Sequence, residues 1–268
     1  MANPVPKPAV QGTALITGAS TGIGAVYANR LAHRGYDLIL VARDLNRLDE
    51  LAARLRADSG VQVETLKADL NDRSDLLKVE QRLRRDEAIT MLVNNAGMSV
   101  SGPLIGGDAD RLESMIGLNV QAVSRLAVAA ATAFVARRRG TLINMASVLA
   151  LAPELFNGVY SGTKAFVLNL SLALHQELKD SGVRVHAVLP GATRTEIWDR
   201  SGGSVDQLPK EMLMEVDEMV DAALAGLDSG ELVTIPSLPD AGDYDAMTQA
   251  RLTLGPNLSR NTAAARYK

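Results

Sequence analysis

The sequence predicts an α/β fold: a single doubly wound domain with a mostly parallel seven-stranded sheet and helices on both faces. Three observations carry this expectation. Short β-rich runs alternate with longer helical patterns from residue 13 to about residue 236. Several of the runs, such as LILVA at 38–42, are continuously apolar, as strands covered on both faces must be. Glycines follow the helical stretches where a left-handed cap belongs. Strict alternation of this kind implies parallel strands joined by right-handed crossovers.

Taken in order, a strand at 13–17 enters a glycine-rich turn and a helix at 23–34, stopped by Gly35. A second strand, 37–42, leads to a helix at 45–57 with Gly60 beyond it. Strand 61–67 precedes helix 73–85, and strand 89–94 precedes one long helix, 111–138, for which Gly140 reads as the stop. Strand 141–146, helix 160–181 with Gly182, strand 183–189, helix 216–228 with Gly230 and strand 231–235 complete the domain. Three segments fall outside the alternation. Residues 1–12 read as a flexible N-terminus. Residues 195–215, carrying Trp198, Gly202, Gly203 and Pro209, read as a mobile substrate loop with a short helix. Residues 237–268 form a tail of mixed character.

Composition narrows the function classes. The 268 residues hold 28 Lys and Arg against 31 Asp and Glu, a net charge of −3, and only nine aromatic residues. That balance disfavours a phosphate-backbone binder and leaves little for base stacking, so no nucleic-acid partner is expected. With no cysteine, thiol catalysis and Cys-based zinc sites are excluded, and His33, His175 and His186 are too scattered for a metal centre. The longest nearly apolar stretch, 126–136, has 11 residues, about half of a membrane span. The first ten residues, MANPVPKPAV, lack the apolar core of a signal peptide. The expectation is a cytoplasmic protein with no membrane partner and no metal.

The first turn reads Thr17-Gly18-Ala19-Ser20-Thr21-Gly22-Ile23-Gly24. Glycines there let backbone N–H groups and the positive helix N-terminus face a pyrophosphate. Further landmarks follow: Asp69 after the third strand, Asn94-Asn95-Ala96-Gly97 after the fourth, and Asn119 within the long helix. Ser147 follows the fifth strand, Tyr160 and Lys164 stand four apart, and Pro190-Gly191 with Thr195 follow the sixth strand. This ordered set resembles the short-chain dehydrogenase/reductase family, in its single-domain Rossmann branch, over residues 13 to about 195.

The resemblance implies a nicotinamide cofactor. Gly18, Ser20, Thr21, Ile23 and Gly24 would then approach the pyrophosphate and its ribose, and Asp69 and Leu70 would flank the adenine. Asn94, Ala96 and Gly97 would line the ribose side, with Pro190, Gly191, Thr193 and Thr195 near the nicotinamide. It also implies that Asn119 bends its helix and holds a water leading to Lys164. Hydride transfer to or from a carbinol requires one proton to move at the substrate oxygen. A free tyrosine, with a pKa of about 10, is a poor base at neutral pH, and a nearby cation lowers that value. Tyr160 and Lys164 share one helix face, and Ser147 is placed to hold the substrate oxygen. The catalytic set is therefore Asn119, Ser147, Tyr160 and Lys164.

Cofactor choice is read at the end of the second strand, where an acidic residue would bond the 2′-hydroxyl of NAD(H). Ala42 stands there, followed by Arg43, so NADP(H) is preferred and NAD(H) remains an option. Met98, Val100, Leu104, Leu149, Leu151, Leu155, Phe156, Ile197, Trp198, Met212 and Met214 indicate a largely apolar pocket for a small carbonyl or alcohol. The alanine-rich stretch in 111–138 suits close helix packing in a homodimer or homotetramer. Two alternatives differ in class. A cofactor-sensing regulator without turnover would be expected to lack Tyr160 or Lys164, and a methyltransferase of similar topology would not need Ser147, Tyr160 and Lys164 in register.

Overall fold

The computed structural model describes residues 11–205 and 208–268. The expectation of a flexible N-terminus falls, for residues 1–10, outside the described residues, as do positions 206 and 207 of the loop. One compact unit runs to Pro236, and Ser237–Lys268 form a second.

The first unit carries a parallel sheet in the order β3-β2-β1-β4-β5-β6-β7. Its strands are β1 (Thr13–Thr17), β2 (Asp37–Ala42), β3 (Val63–Lys67), β4 (Ile89–Asn94), β5 (Gly140–Met145), β6 (Val183–Val188) and β7 (Val233–Thr234). All five residues of β1 are buried, which explains why this strand shows no polar alternation. Helices α1 (Gly22–His33), α2 (Leu45–Ser59), α3 (Arg73–Arg85), α4 (Ala109–Ile116), α5 (Val123–Arg137), α6 (Gly158–Leu178), α7 (Ile197–Ser201) and α8 (Val216–Ser229) follow the strands. Helices α1, α2 and α8 share one core with the sheet, built around Tyr27, Leu31, Leu40 and Leu48. Helices α3, α5 and α6 cover the opposite face around Leu15, Leu83, Phe134 and Leu142. The strand order reverses between β1 and β4, and ligands bind at such a switch point.

Local chemistry explains the boundaries. Asp44, Asp72 and Asp108 cap α2, α3 and α4 by accepting backbone N–H bonds in the first turn, and α2 stops at the left-handed Gly60. The long helix expected at 111–138 departs from that reading in two ways. It is interrupted by a π-helical segment, Gly117–Ala122, and it starts earlier, at Ala109. Its stop is also corrected. The left-handed residue is Arg138 (φ 52°), while Gly140 opens β5. A Cβ on Gly140 would lie 2.2 Å from the ring of Phe134, so the glycine is set by packing and not by capping. Strand β7 is shorter than expected, with two residues.

Taken together, 109–137 is one 29-residue helical run long and apolar enough by composition to cross a membrane, contrary to the expectation from sequence. Within its most apolar window 56% is buried inside the protein, as in a core helix. In the second unit, Asp240 caps a helix not foreseen in the sequence, α9 (Ala241–Thr253), by accepting from the Gly242 N–H at 2.8 Å.

Candidate active site

The glycine-rich turn joins β1 to α1 at the switch point. Gly18 (φ 65°) and Gly22 (φ 54°) take the left-handed region that side chains disfavour. A Cβ on Gly24 would fall 2.3 Å from the Gly18 carbonyl oxygen, so only glycine lets the turn fold back on α1. Thr21 precedes α1 in an extended conformation and gives no side-chain cap, and the first turn holds no acidic residue. The N-terminus of α1 therefore faces the turn without a competing carboxylate. This cradle fits a dinucleotide pyrophosphate. Ser20 lies in the same turn, and Ile23 packs onto the core beside it.

The turn after β4 is locked to β1 from below. Thr17, fully buried, accepts through Oγ1 from the N–H groups of Asn95 (3.0 Å) and Ala96 (2.9 Å). Asn95 Nδ2 in turn donates to the Thr17 carbonyl at 2.9 Å. Asn94 points away from the turn: its Nδ2 donates to Val123 O (2.9 Å) and Asn144 Oδ1 (3.3 Å). Asn144 continues to Ser171 Oγ at 3.0 Å, a buried polar chain joining β4, β5 and α6. Asp69 is partly buried and accepts from the Asn71 N–H (3.0 Å), while Leu70 beside it is buried. Arg43 stands exposed just past Ala42 and takes no part in an ion pair among the described residues.

The catalytic candidates converge from three elements. Ser147 follows β5, and its hydroxyl donates to Pro190 O (3.4 Å) while accepting from the Leu149 N–H (3.2 Å). Tyr160 and Lys164 stand one turn apart on α6. Lys164 is buried, donates to Met145 O at 2.9 Å, and holds its Nζ 5.7 Å from the centroid of the Tyr160 ring. Asn119 lies in the π segment, where its Oδ1 accepts from Met98 N–H (2.9 Å). Its Nδ2 donates to Met98 O (2.9 Å) and Thr163 Oγ1 (3.1 Å). Both groups border Gly97: a Cβ there would lie 3.3 Å from Asn119 Oδ1 and 3.5 Å from Lys164 Nζ.

Burial dominates the electrostatics of the pair. It pushes the Tyr160 phenol up to about 12, with the neighbouring Ser147 hydroxyl acting in the opposite direction. It pulls the Lys164 ammonium down to about 8. The phenol is not lowered by the neighbouring cation, as Tyr-Lys spacing alone would imply, because desolvation raises it instead. The site thus holds a phenol that keeps its proton beside an ammonium that burial makes easier to deprotonate.

Asn157 is a contributor that the sequence does not single out. Asn157, buried, caps α6 by accepting from the N–H groups of Val159 and Tyr160, and its Nδ2 donates to Gly102 O at 3.3 Å. An Asn immediately before a helical run is a readable cap signal. Phe156 meets Tyr160 edge to face, with centroids 5.6 Å apart. It also lines an open cleft of about 570 Å³ together with Gly102, Pro103, Leu104, Ile105, Asn157 and Gly158. On the far side, Thr193 Oγ1 donates to Gly191 O (3.2 Å), and Thr195 lies against the glycine turn. The loop begins with α7, and Trp198 Nε1 donates to Thr193 O at 2.8 Å. Among the described residues no group of three or more His, Asp or Glu is placed to hold a metal.

A parallel sheet with a glycine cradle at its switch point and a Ser-Tyr-Lys set beside it defines a nicotinamide-dependent oxidoreductase. The sequence matches the short chain dehydrogenase family over residues 12–204, and the chain belongs to that family. It is similar to a short-chain dehydrogenase from Sphingobium yanoikuyae in complex with NADPH: 54% identity, 96% of this chain and 100% of that one covered, TM-score 0.93. It is also similar to the bulky-bulky ketone specific alcohol dehydrogenase from Comamonas testosteroni, with 46% identity, 96% and 98% coverage, and a TM-score of 0.88. A very-long-chain 3-oxoacyl-CoA reductase of Anas platyrhynchos is 31% identical over 204 residues, which are 75% of this chain and 65% of that reductase.

Proposed function

We propose that the chain transfers hydride between NADP(H) and a carbonyl or secondary alcohol bearing large apolar groups, with Tyr160 as general acid/base. The observation that carries this reading is the convergence of Ser147, Tyr160 and a buried Lys164 beside the glycine cradle. When bound, the nicotinamide supplies or accepts the hydride. The remaining steps belong to the protein. Gly18, Ser20, Thr21, Ile23 and Gly24 would hold the pyrophosphate, Asp69 and Leu70 the adenine, and Ala96, Gly97, Pro190, Gly191, Thr193 and Thr195 the ribose and carboxamide. Ser147 would donate to the substrate oxygen and aim it at the Tyr160 hydroxyl. In reduction Tyr160 gives its proton to that oxygen; in oxidation it takes one. The ammonium of Lys164 stabilises the phenolate left behind, and Asn119 fixes the adjoining π segment.

The preference for NADP(H) is supported by Arg43 at the end of β2 and by relatives described with NADPH. An apolar substrate is supported by the cleft beside Phe156 and by the ketone-specific relative. Half-exposed Val128, Val135 and Phe166 on α5 and α6 support self-association into a homo-oligomer, and the absence of cysteine supports a cytoplasmic setting. The test is a spectrophotometric screen of ketones, aldehydes and secondary alcohols with both cofactors, repeated with Tyr160→Phe. The variant should keep cofactor affinity and lose about 10²–10⁴-fold in turnover, as expected for lost acid–base catalysis. Near-normal turnover in the variant would overturn the role of Tyr160, whereas a wild type that binds cofactor and turns over no substrate would favour a regulator.

A further inference from the structure

Arg47 and Glu196 come from opposite halves of the sheet. Arg47 lies in the first turn of α2, after β2, and Glu196 lies just past β6. In the strand order β2 and β6 are separated by β1, β4 and β5, so a contact between these residues has to cross the carboxyl edge that carries the glycine turn. That contact is made. Arg47 Nη1 donates to both carboxylate oxygens of Glu196, at 3.0 and 2.9 Å.

Each end is anchored. On one side, Asp44 accepts from the Arg47 N–H at 3.1 Å and its carboxylate lies 3.5 Å from Arg47 Nε. On the other, Glu196 also accepts from Arg200 Nη2 at 2.5 Å. The base of the segment is pinned by two backbone bonds, Arg194 N to Met214 O (3.0 Å) and Met214 N to Ala192 O (2.9 Å). Between anchor and base, Thr195 lies so close to the turn that a Cβ on Gly22 would come within 3.2 Å of its methyl group.

We infer that residues 195–200 form a strap across the glycine-rich turn, fastened to α2 by the Arg47–Glu196 ion pair, and that this fastening sets how fast a dinucleotide leaves. The inference rests on reading the turn as the NADP(H) site. A ligand can leave the α1 N-terminus freely only when the strap lifts, and lifting breaks the pair. Both side chains are about half exposed, 46% and 47%, so the fastening is weak and readily reopened, as repeated turnover requires. Arg47 is also spent on Glu196 and Asp44. Arg43 is left as the uncommitted guanidinium at the end of β2, so the strap and the reading of the 2′-phosphate are assigned to different arginines.

The experiment loads the full chain with NADPH and chases it with excess oxidised cofactor in a stopped-flow instrument. Loss of energy transfer from Trp198, the single tryptophan, to the bound dihydronicotinamide reports release. Glu196→Gln should accelerate release about 1.4- to 5-fold, the range an exposed ion pair supports. Added salt should speed release from the wild type more than from that variant. Arg47→Gln should accelerate NADPH and NADH release alike. Glu196→Asp keeps a carboxylate for Arg47 and Arg200 and should release more slowly than Glu196→Gln, and equal melting points of the single variants and the wild type guard against a fold defect. Release rates blind to Glu196 would overturn the strap alone. Acceleration by Arg47→Gln confined to NADPH would overturn it too, by placing Arg47 on the phosphate. A wild type that binds neither cofactor would overturn the cofactor reading and the strap together.

Discussion

Replacing Thr17 by valine keeps the shape of a fully buried strand residue and deletes one oxygen. That oxygen accepts from two backbone N–H groups, those of Asn95 and Ala96, at 3.0 and 2.9 Å. Each N–H left without a partner costs about 1–3 kcal/mol, and part of that is recovered if the turn shifts to reach another acceptor. The net loss should be about 2–4 kcal/mol. For a domain of this size, with a melting shift of roughly 2–4 °C per kcal/mol, the melting point should fall by about 4–16 °C. Because the same turn carries Ala96 and Gly97, cofactor affinity should weaken alongside stability. Thr17→Ser keeps the oxygen and removes one methyl, so it should cost only about 0.8 kcal/mol. Thermal unfolding by circular dichroism and calorimetric titration with NADPH measure both effects. A valine variant that melts like the wild type and binds the cofactor equally well would refute the claim that Thr17 holds the turn after β4.

Two further outcomes are expected. The double variant Ala42→Asp/Arg43→Ala should shift the ratio of kcat/KM values from NADP(H) toward NAD(H) by about 10- to 150-fold, the equivalent of one lost charge-assisted hydrogen bond; an unchanged ratio would mean that the end of β2 does not read the ribose. His186, fully buried in β6 with Nδ1 2.9 Å from Glu231 O, is held below its ordinary pKa by burial, so the unfolded chain binds a proton the fold refuses. Its contribution to stability is complete above about pH 6.5 and is lost as the pH falls from there through the folded value. Melting points between about pH 6.5 and 5 should therefore decline, and His186→Gln should flatten that decline; an equal slope in both proteins would remove His186 as the cause.

How legible these features were depends on how far apart in the chain their causes lie. The strands could be read because β1, β2 and β4 are apolar on both faces, and helices α2 and α3 because aspartates cap them locally. Tyr160 and Lys164 could be read because one helical turn brings them together. The role of Thr17 could not. A threonine in TALIT reads as an ordinary strand residue until the turn after β4 is laid beside it, with Asn95 78 residues on. The end of α5 misled for a related reason: its left-handed residue is an arginine, and the nearby glycine answers to the ring of Phe134. Arg47 and Glu196 lie 149 residues apart, and only the strand order shows that joining them crosses the site. The rise in the Tyr160 pKa likewise depends on burial, which local spacing does not encode.

The π-helical segment at Gly117–Ala122 carries a consequence for redesign of the chain. An i→i+5 turn holds about one residue more than an α turn, so the segment acts as a single-residue insertion in an otherwise regular rod. Deleting one residue there would restore a regular α-helix with little change of phase, because the wide turn already absorbs the roughly 100° that the extra residue would add. Helices α4 and α5 could then keep their faces, and the change would fall on the wide turn itself, where Asn119 meets Met98 and Thr163. A shortened protein of this kind could keep its core while losing one wall of its catalytic chamber. The extra residue is therefore a local device that shapes the wide turn around Asn119 while leaving the packing of the flanking helices in register.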